Sequence, residues 1–272
     1  MHSIARSIGE TMGYDVRIED VWFSYTREEY VLKGINLEAR KGEITVIIGP
    51  TGCGKSTLLL IIAGLLKPDK GIVYYDDKPL DELLPGIRRD IGILFQDPDD
   101  HLFNPTVFDE IAFSLRSLGL EEDKVREKVY SISEILGIQH LLNRSSFKLS
   151  IGEKKKVALA SILVYEPKVL LLDEPSANLD SKTVDLVKDI IFKAKSKGKT
   201  LIITSCDLDF AIQVADRIYA IDNGQVKASC RVEEFLDDEV FQKINLHQPL
   251  LYKVLRELEI EPRTLLKIIR GK

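Results

Sequence analysis

A chain of 272 residues, 44% hydrophobic and with a net charge of −5, is long enough to bury a sizeable core as one large domain or a domain with an appendage. Its longest apolar run, Leu58 to Leu66, spans nine residues against the roughly 20 that a membrane-crossing helix needs, and no block of basic residues and aromatics marks a surface for nucleic acid. Three cysteines, Cys53, Cys206 and Cys230, lack a Cys-x-x-Cys spacing, which indicates neither a disulfide framework nor a zinc site and fits a reducing cytosol.

Residues 1–12 hold no apolar core of signal-peptide length and read as a loose leader, with Met12 an alternative start. From Val16 to Tyr25 and from Val31 to Ala39, apolar residues alternate with polar ones, which predicts half-buried strands forming an antiparallel layer. Tyr25 has two readings, a ring that stacks on a purine or an ordinary strand aromatic. The apolar run Ile44–Ile48 then predicts a buried strand, and Leu58–Ile62 a helix. Between them lies Gly49-Pro50-Thr51-Gly52-Cys53-Gly54-Lys55-Ser56-Thr57, with the phosphate-binding spacing G-x-x-x-x-G-K-[ST]. Glycines let successive backbone N–H groups turn onto a polyphosphate without a Cβ in the way, and the helix start adds its positive end. Lys55 reaches the β and γ phosphates and Ser56 offers its hydroxyl to Mg²⁺. The plain alternative is a glycine-rich turn that binds nothing. Cys53 is either a position where alkylation blocks nucleotide or an inert small residue.

Pro68 and Gly71 close the first helix, and Ile72–Tyr75 and Ile91–Phe95 predict short strands, the second ending at Gln96. An amide at the C-terminal end of a buried parallel strand lies on the edge where open α/β sheets bind ligands. From about 97 to 165 the pattern turns helical: Val107, Ile111 and Leu115 form one face, and Val125, Val129, Ile132, Ile135 and Leu136 another. This predicts a helical subdomain inserted into the α/β core. It ends in Leu149-Ser150-Ile151-Gly152-Glu153, followed by a helix from Lys154, with Ser150 a good N-cap and the helix start a second anion site. The buried strand Val169–Leu172 delivers Asp173 and Glu174 to the same sheet edge as Lys55. Asp173 has the chemistry to hold the Mg²⁺ shell, and Glu174 to orient or deprotonate an attacking water. Ser176 to Asp180, a helix through Ile191, the strand Thr200–Thr204 and the turn Ser205-Cys206-Asp207 follow, and Asn223-Gly224 joins a closing hairpin.

Taken in order, Tyr25, the glycine loop, Gln96, Leu149 to Glu153, Asp173-Glu174, Ser176 to Asp180 and the turn at Cys206 resemble the motifs of ATP-binding cassette ATPases over about residues 15–228. The resemblance implies an α/β, P-loop NTPase core with an antiparallel β layer over residues 13–228. It implies ATP and Mg²⁺ as ligands, with the aromatic on adenine and Gln96 sensing the γ phosphate and touching metal beside Ser56 and Asp173. Ser150, Gly152 and Asp180 would belong to the surface that closes over nucleotide held by a second ATPase subunit. Phe95 to Phe103 and Thr106 to Phe113 look like the ATPases of energy-coupling factor transporters, as does the tail 229–272. There Leu251, Val254, Leu255 and Leu258, then Leu265, Ile268 and Ile269, keep amphipathic helical spacing, and the family's C-terminal helical extension holds two subunits together. From Lys253 the tail carries six basic and three acidic residues, suited to a membrane surface or to a solvated helix face.

Three positions depart from the family pattern. Ile151 and Glu153 replace glycine and glutamine in the usual Leu-Ser-Gly-Gly-Gln, adding bulk and a negative charge near an anion site, with Lys154, Lys155 and Lys156 either offsetting it or facing solvent. Cys206 stands where the family has its switch histidine, and a thiol is a weak donor. The expectation is a hydrolytic subunit of a micronutrient importer, peripheral on the cytoplasmic face of the membrane and paired with a second ATPase, a heterodimer before a homodimer, and with integral membrane subunits. A soluble non-transport ATPase of the family and a mainly regulatory nucleotide-binding subunit are the alternatives.

Overall fold

The structure, a computed structural model, describes residues 12–26 and 29–235, together with Glu257 and Thr264. Residues 1–11 of the leader and the apolar positions of the tail lie outside the described residues. β1 (Val16–Phe23) and β2 (Leu32–Ala39) pair antiparallel, Val16 opposite Ala39 and Phe23 opposite Leu32. β3 (Ile44–Ile48) and α1 (Lys55–Ile62) come next, after which β4 (Lys70–Tyr75) and β5 (Lys78–Pro79) return to the first sheet, whose order is β2-β1-β4-β5. A short α2 (Leu80–Leu83) leads to β6 (Ile91–Leu94), and α3 (Val107–Ser117), α4 (Glu122–Ile135) and α5 (Ile151–Leu163) form the helical segment. The chain then alternates through β7 (Val169–Asp173), α6 (Ser181–Ser196), β8 (Thr200–Ser205) and α7 (Leu208–Val214). It closes with β9 (Arg217–Asp222), β10 (Gln225–Arg231) and α8 (Val232–Phe235).

The second sheet runs β10-β9-β3-β8-β7-β6, all parallel except β10. Its central strands are apolar on both faces, as parallel strands must be when both sides are covered. On β3, Ile47 faces α1 and the antiparallel sheet, while Ile44, Val46 and Ile48 face the helices. On β7, Leu171 joins the first core and Leu170 and Leu172 the second. Period-two alternation thus divides one continuous apolar run between two cores, one sandwiching Leu58, Leu59, Ile61 and Ile62 of α1 between the sheets, the other beneath α3 to α7. The β9–β10 hairpin turns through Asn223 (φ 49°) and Gly224 (φ 75°), the paired left-handed residues of a tight hairpin.

The structure departs from the sequence expectation at several points. β1 stops at Phe23, which leaves Tyr25 in a loop. β6 stops at Leu94 rather than at Gln96, because the Phe95 N–H donates to His101 Nε2 at 2.9 Å instead of a neighbouring strand. On α4, Val125, Val129 and Leu136 are buried but Ile135 is half exposed. Ser133 takes the inward place, its hydroxyl donating to Val129 O at 2.6 Å. α5 begins at Ile151, three residues before Lys154, because Ser150 and Glu153 close a capping box one turn earlier.

Candidate functional site

Register brings the site together. Ile48, the last residue of β3, lies beside Ser205 at the end of β8, and Asp173 at the end of β7 lies beside Thr204. The glycine loop, the Asp173-Glu174 pair and the Cys206 turn therefore emerge at one carboxyl edge of the sheet, where α/β folds bind ligands.

Within the loop, Gly52 (φ 82°) and Gly54 (φ 105°) occupy left-handed backbone that a side chain disfavours. A Cβ on Gly49 would lie 2.2 Å from the Ile221 carbonyl oxygen, so this position tolerates nothing larger. The Lys55 ammonium is buried and donates to Gly49 O at 2.8 Å and Pro50 O at 3.2 Å, with Glu174 Oε1 at 3.7 Å. A Cβ on Gly52, by contrast, would meet no atom within 4 Å, so the loop's outer face is open to an anion. The residues fit a bound polyphosphate: backbone amides held by glycine, one lysine, and the start of α1.

Asp173 and Glu174 are each 5% exposed. The Thr204 hydroxyl donates to Asp173 Oδ1, and the Glu174 N–H lies 3.2 Å from both Thr204 O and Thr204 Oγ1. Glu174 holds φ at 45°, a strained backbone for a residue with a side chain. Its Oε2 accepts the Cys206 N–H at 3.0 Å. Burial and then the Glu174 carboxylate push the Cys206 thiol up, so it stays neutral at physiological pH.

Ser56, Gln96 and Asp173 line one cleft of about 580 Å³, shared with Ile151, Lys154 and Asn178. A hydroxyl, an amide oxygen and a single carboxylate are the hard donors that suit Mg²⁺, which retains water and phosphate ligands. Tyr25 is 61% exposed, its hydroxyl 3.2 Å from Thr57 Oγ1 and its ring edge-on to Phe23 at 4.9 Å. It borders a second cleft of about 440 Å³ with Pro50, Thr51, Gly52 and Cys53, a position from which a ring can meet a base. Cys53 itself is buried, and burial pushes its thiol up, which opposes the ready alkylation that the loop position suggests.

Ser150, Gly152 and Asp180 do not line these clefts. Glu153 Oε2 accepts both the Ser150 N–H and the Ser150 hydroxyl at 2.8 Å, and these bonds hold its carboxyl below the usual range. Asp180 caps α6 by accepting from Thr183 N and Thr183 Oγ1, both at 2.9 Å. Gly152 has no atom within 4 Å of an added Cβ, and Ile151 is 56% exposed.

Sequence reasoning left Lys155 undecided, and the structure buries it. The residue is 1% exposed, and its ammonium donates to Gln96 O at 3.0 Å and Glu174 O at 3.1 Å, tying the segment after β6 to the segment after β7. Burial pushes its amine down, with Asp173 and Glu174 opposing. Helical spacing held the signal, since Lys155 lies three and four residues before the buried Ala158 and Leu159. Lys154 instead pairs with Asp99 at 2.5 Å. His101 and Thr204 were also missed; burial, then Lys155, pushes His101 down to about 4, leaving it neutral as the acceptor for Phe95.

Residues 32–177 match the ABC transporter family model. The chain is 39% identical over 252 residues, 90% of its length and 88% of the relative's, to the energy-coupling factor transporter ATP-binding protein EcfA2 of Clostridium perfringens. The solved structure of cbiO1 from the same species, described as part of the ABC transporter complex cbiONQ, superposes with a TM-score of 0.74 at 37% identity, covering 90% of this chain and 99% of that one. A dimeric ABC transporter cassette, MJ0796, gives a TM-score of 0.73 at 29% identity, covering 80% of this chain and 98% of that one. The chain belongs to the ABC transporter family of P-loop ATPases, where it resembles the ATP-binding proteins of energy-coupling factor transporters.

Proposed function

We propose that this chain is the ATP-binding and hydrolysing subunit of an energy-coupling factor type importer, held at the cytoplasmic face of the membrane by integral membrane subunits. Uptake of a micronutrient, a vitamin or a transition-metal ion, is the work it powers. The observation that carries this reading is one sheet edge holding Lys55, Ser56, Asp173 and Glu174 together, in a chain 39% identical to an energy-coupling factor ATPase over 90% of its length.

In this reading Gly49 to Thr57 cradle the phosphates, Lys55 exchanges its loop carbonyls for phosphate oxygens, and Tyr25 takes the base. Ser56, Gln96 and Asp173 hold the metal. When bound, MgATP supplies the phosphoanhydride to be cleaved and a Lewis acid on its oxygens. Glu174, buried and fixed by Cys206 N–H, accepts a proton from the attacking water. The surface of Ser150, Gly152 and Asp180, of which Ser150 and Asp180 are exposed and none lines the two clefts, suits closure over nucleotide on a second subunit. The departures at Ile151, Glu153 and Cys206 favour a heterodimer whose partner carries an intact histidine and signature, with slow hydrolysis at the site built on this chain's Lys55.

Cys206 also favours a second reading, a mainly regulatory subunit that binds nucleotide and hydrolyses little. Purification of the chain with its copurifying subunits, followed by ATPase rates alone and in the complex, separates these. Membrane subunits and a second ATPase in the complex, with turnover above that of the isolated chain, support the importer. A chain that copurifies with no membrane protein contradicts it.

A further inference from the structure

A cleft of about 410 Å³ lies between α4, the end of α5 and the last turns of α6. Lys199, which lines it, directly precedes β8, so the cleft opens at the amino edge of the parallel sheet, opposite the edge that carries Glu174. Its floor is apolar, formed by Ile132, Leu163, Val164 and Ile190, and the half-exposed Ile135 borders it. Around this floor stand Lys124, Lys128, Lys193, Lys197 and Lys199, with only Glu127 and Glu166 of opposite sign, a cationic surplus on a chain of net charge −5.

Part of this surplus has an ordinary cause. Lys193 and Lys197 are exposed at the carboxyl end of α6, where positive charge offsets the helix dipole. Lys199 lies beyond the helix and is 5% exposed. Among the described residues its ammonium has neither a hydrogen-bond acceptor nor an ion-pair partner. The nearest carboxylate of the cleft's rim, Glu166, is exposed and pairs with Lys128 at 3.5 Å. The stem of Lys199 is buried while its ammonium stays accessible from the cleft it lines, and burial together with Lys197 pushes this amine down. Nothing in the packing around Lys199 requires the charge, whereas an anion in the cleft would use it.

We propose that this cleft binds a phosphate monoester carrying a compact apolar body, its head received by Lys199 with Lys193 and Lys197 and its body resting on Ile132, Ile135 and Ile190. Several point-charge ammonium groups suit a dianionic phosphate, and the floor rewards an apolar substituent. Because the cleft joins α4 of the helical segment to α6 of the core, an occupant restrains one against the other.

The full chain is saturated with MgADP, so that the phosphate-binding loop is filled, and titrated calorimetrically with hexyl phosphate and with inorganic phosphate. Hexyl phosphate is expected to bind saturably, and about tenfold or more weakly to Lys199→Met and to the rim double variant Lys193→Gln, Lys197→Gln, which leaves the buried position intact. Inorganic phosphate, with no apolar body, is expected to bind about tenfold more weakly than hexyl phosphate. Phosphatidylcholine vesicles with and without phosphatidic acid distinguish the source of the head: retention that depends on Lys199 assigns it to a lipid, and its absence to a soluble monoester. No saturable heat with hexyl phosphate, or equal affinity in wild type and both variants, overturns the site.

Discussion

The backbone N–H of Cys206 donates to Glu174 Oε2 at 3.0 Å, so the residue after β8 orients the glutamate through its main chain. If Cys206 stands at the family's switch histidine, as proposed, the contact does not depend on which side chain is there. In the proposed reading the thiol would lack a strong side-chain donor toward the γ phosphate.

Cys206→His is therefore expected to raise the hydrolysis rate of the assembled complex by roughly 100-fold, the value of one preorganised donor at a developing charge. Phosphate release under saturating MgATP measures it. An unchanged rate would assign slow turnover, where it is found, to another step. The neutral thiol also predicts no rate inflection from a cysteine between pH 7 and pH 8 in the wild-type complex.

Lys155 donates to two backbone carbonyls, Glu174 O, which also accepts the Ala177 N–H at 3.2 Å, and Gln96 O, which has no other donor in the hydrogen bonds described. Lys155→Met should cost about 1–3 kcal/mol for the Gln96 carbonyl left without a donor. Urea unfolding reads the loss of stability, and Lys155→Arg should restore part of it. Since the Lys155 amine is pushed down in the folded chain, the unfolded chain binds more protons between that lowered value and the ordinary 10.5. The destabilisation due to its buried charge is therefore full below the folded value and relieved as pH rises through that window.

Ser150→Ala removes the N-cap of α5 and should destabilise by about 1 kcal/mol. Glu153→Gln keeps the shape of the capping box while releasing the negative charge that holds the Ser150 hydroxyl. It is expected to raise turnover at the nucleotide site that this surface is proposed to close. The Glu153 carboxyl is held below its ordinary 4.5, so its contribution to stability is present above that value and lost as pH falls through the folded one. A wild-type and Glu153→Gln pair whose stability difference does not change between pH 7 and pH 3 would contradict the assignment.

Both thiols are pushed up, but Cys53 is 6% exposed whereas Cys206 is exposed, so maleimide should label Cys206 at least about tenfold faster than Cys53, with or without MgATP. Mass spectrometry of timed digests reports both sites. Rapid labelling of Cys53 that MgATP suppresses would instead restore its role as an exposed loop thiol.

The parallel core was legible because Ile44–Ile48 is apolar but for Thr45 and Val169–Leu172 is apolar throughout, and the glycine loop because its spacing is tied to one geometry. Tertiary contacts decided the remainder. A hydrogen bond from Phe95 to His101 ended β6 before Gln96, and the Ser150–Glu153 box moved the start of α5. Lys155 had two open readings and Lys199 stood out in neither pattern nor motif, since composition does not reveal whether an ammonium meets two carbonyls or an apolar cleft. Ile135 satisfied the helical period yet borders that cleft.

Equilibrium binding of MgATP to the purified chain and to Lys55→Met tests the central claim most directly, because Lys55 is the buried cation that joins the glycine loop to Glu174. The account predicts retention by the wild type and a loss of about tenfold or more in the variant, with the fold unchanged by circular dichroism. Equal retention by both would contradict it.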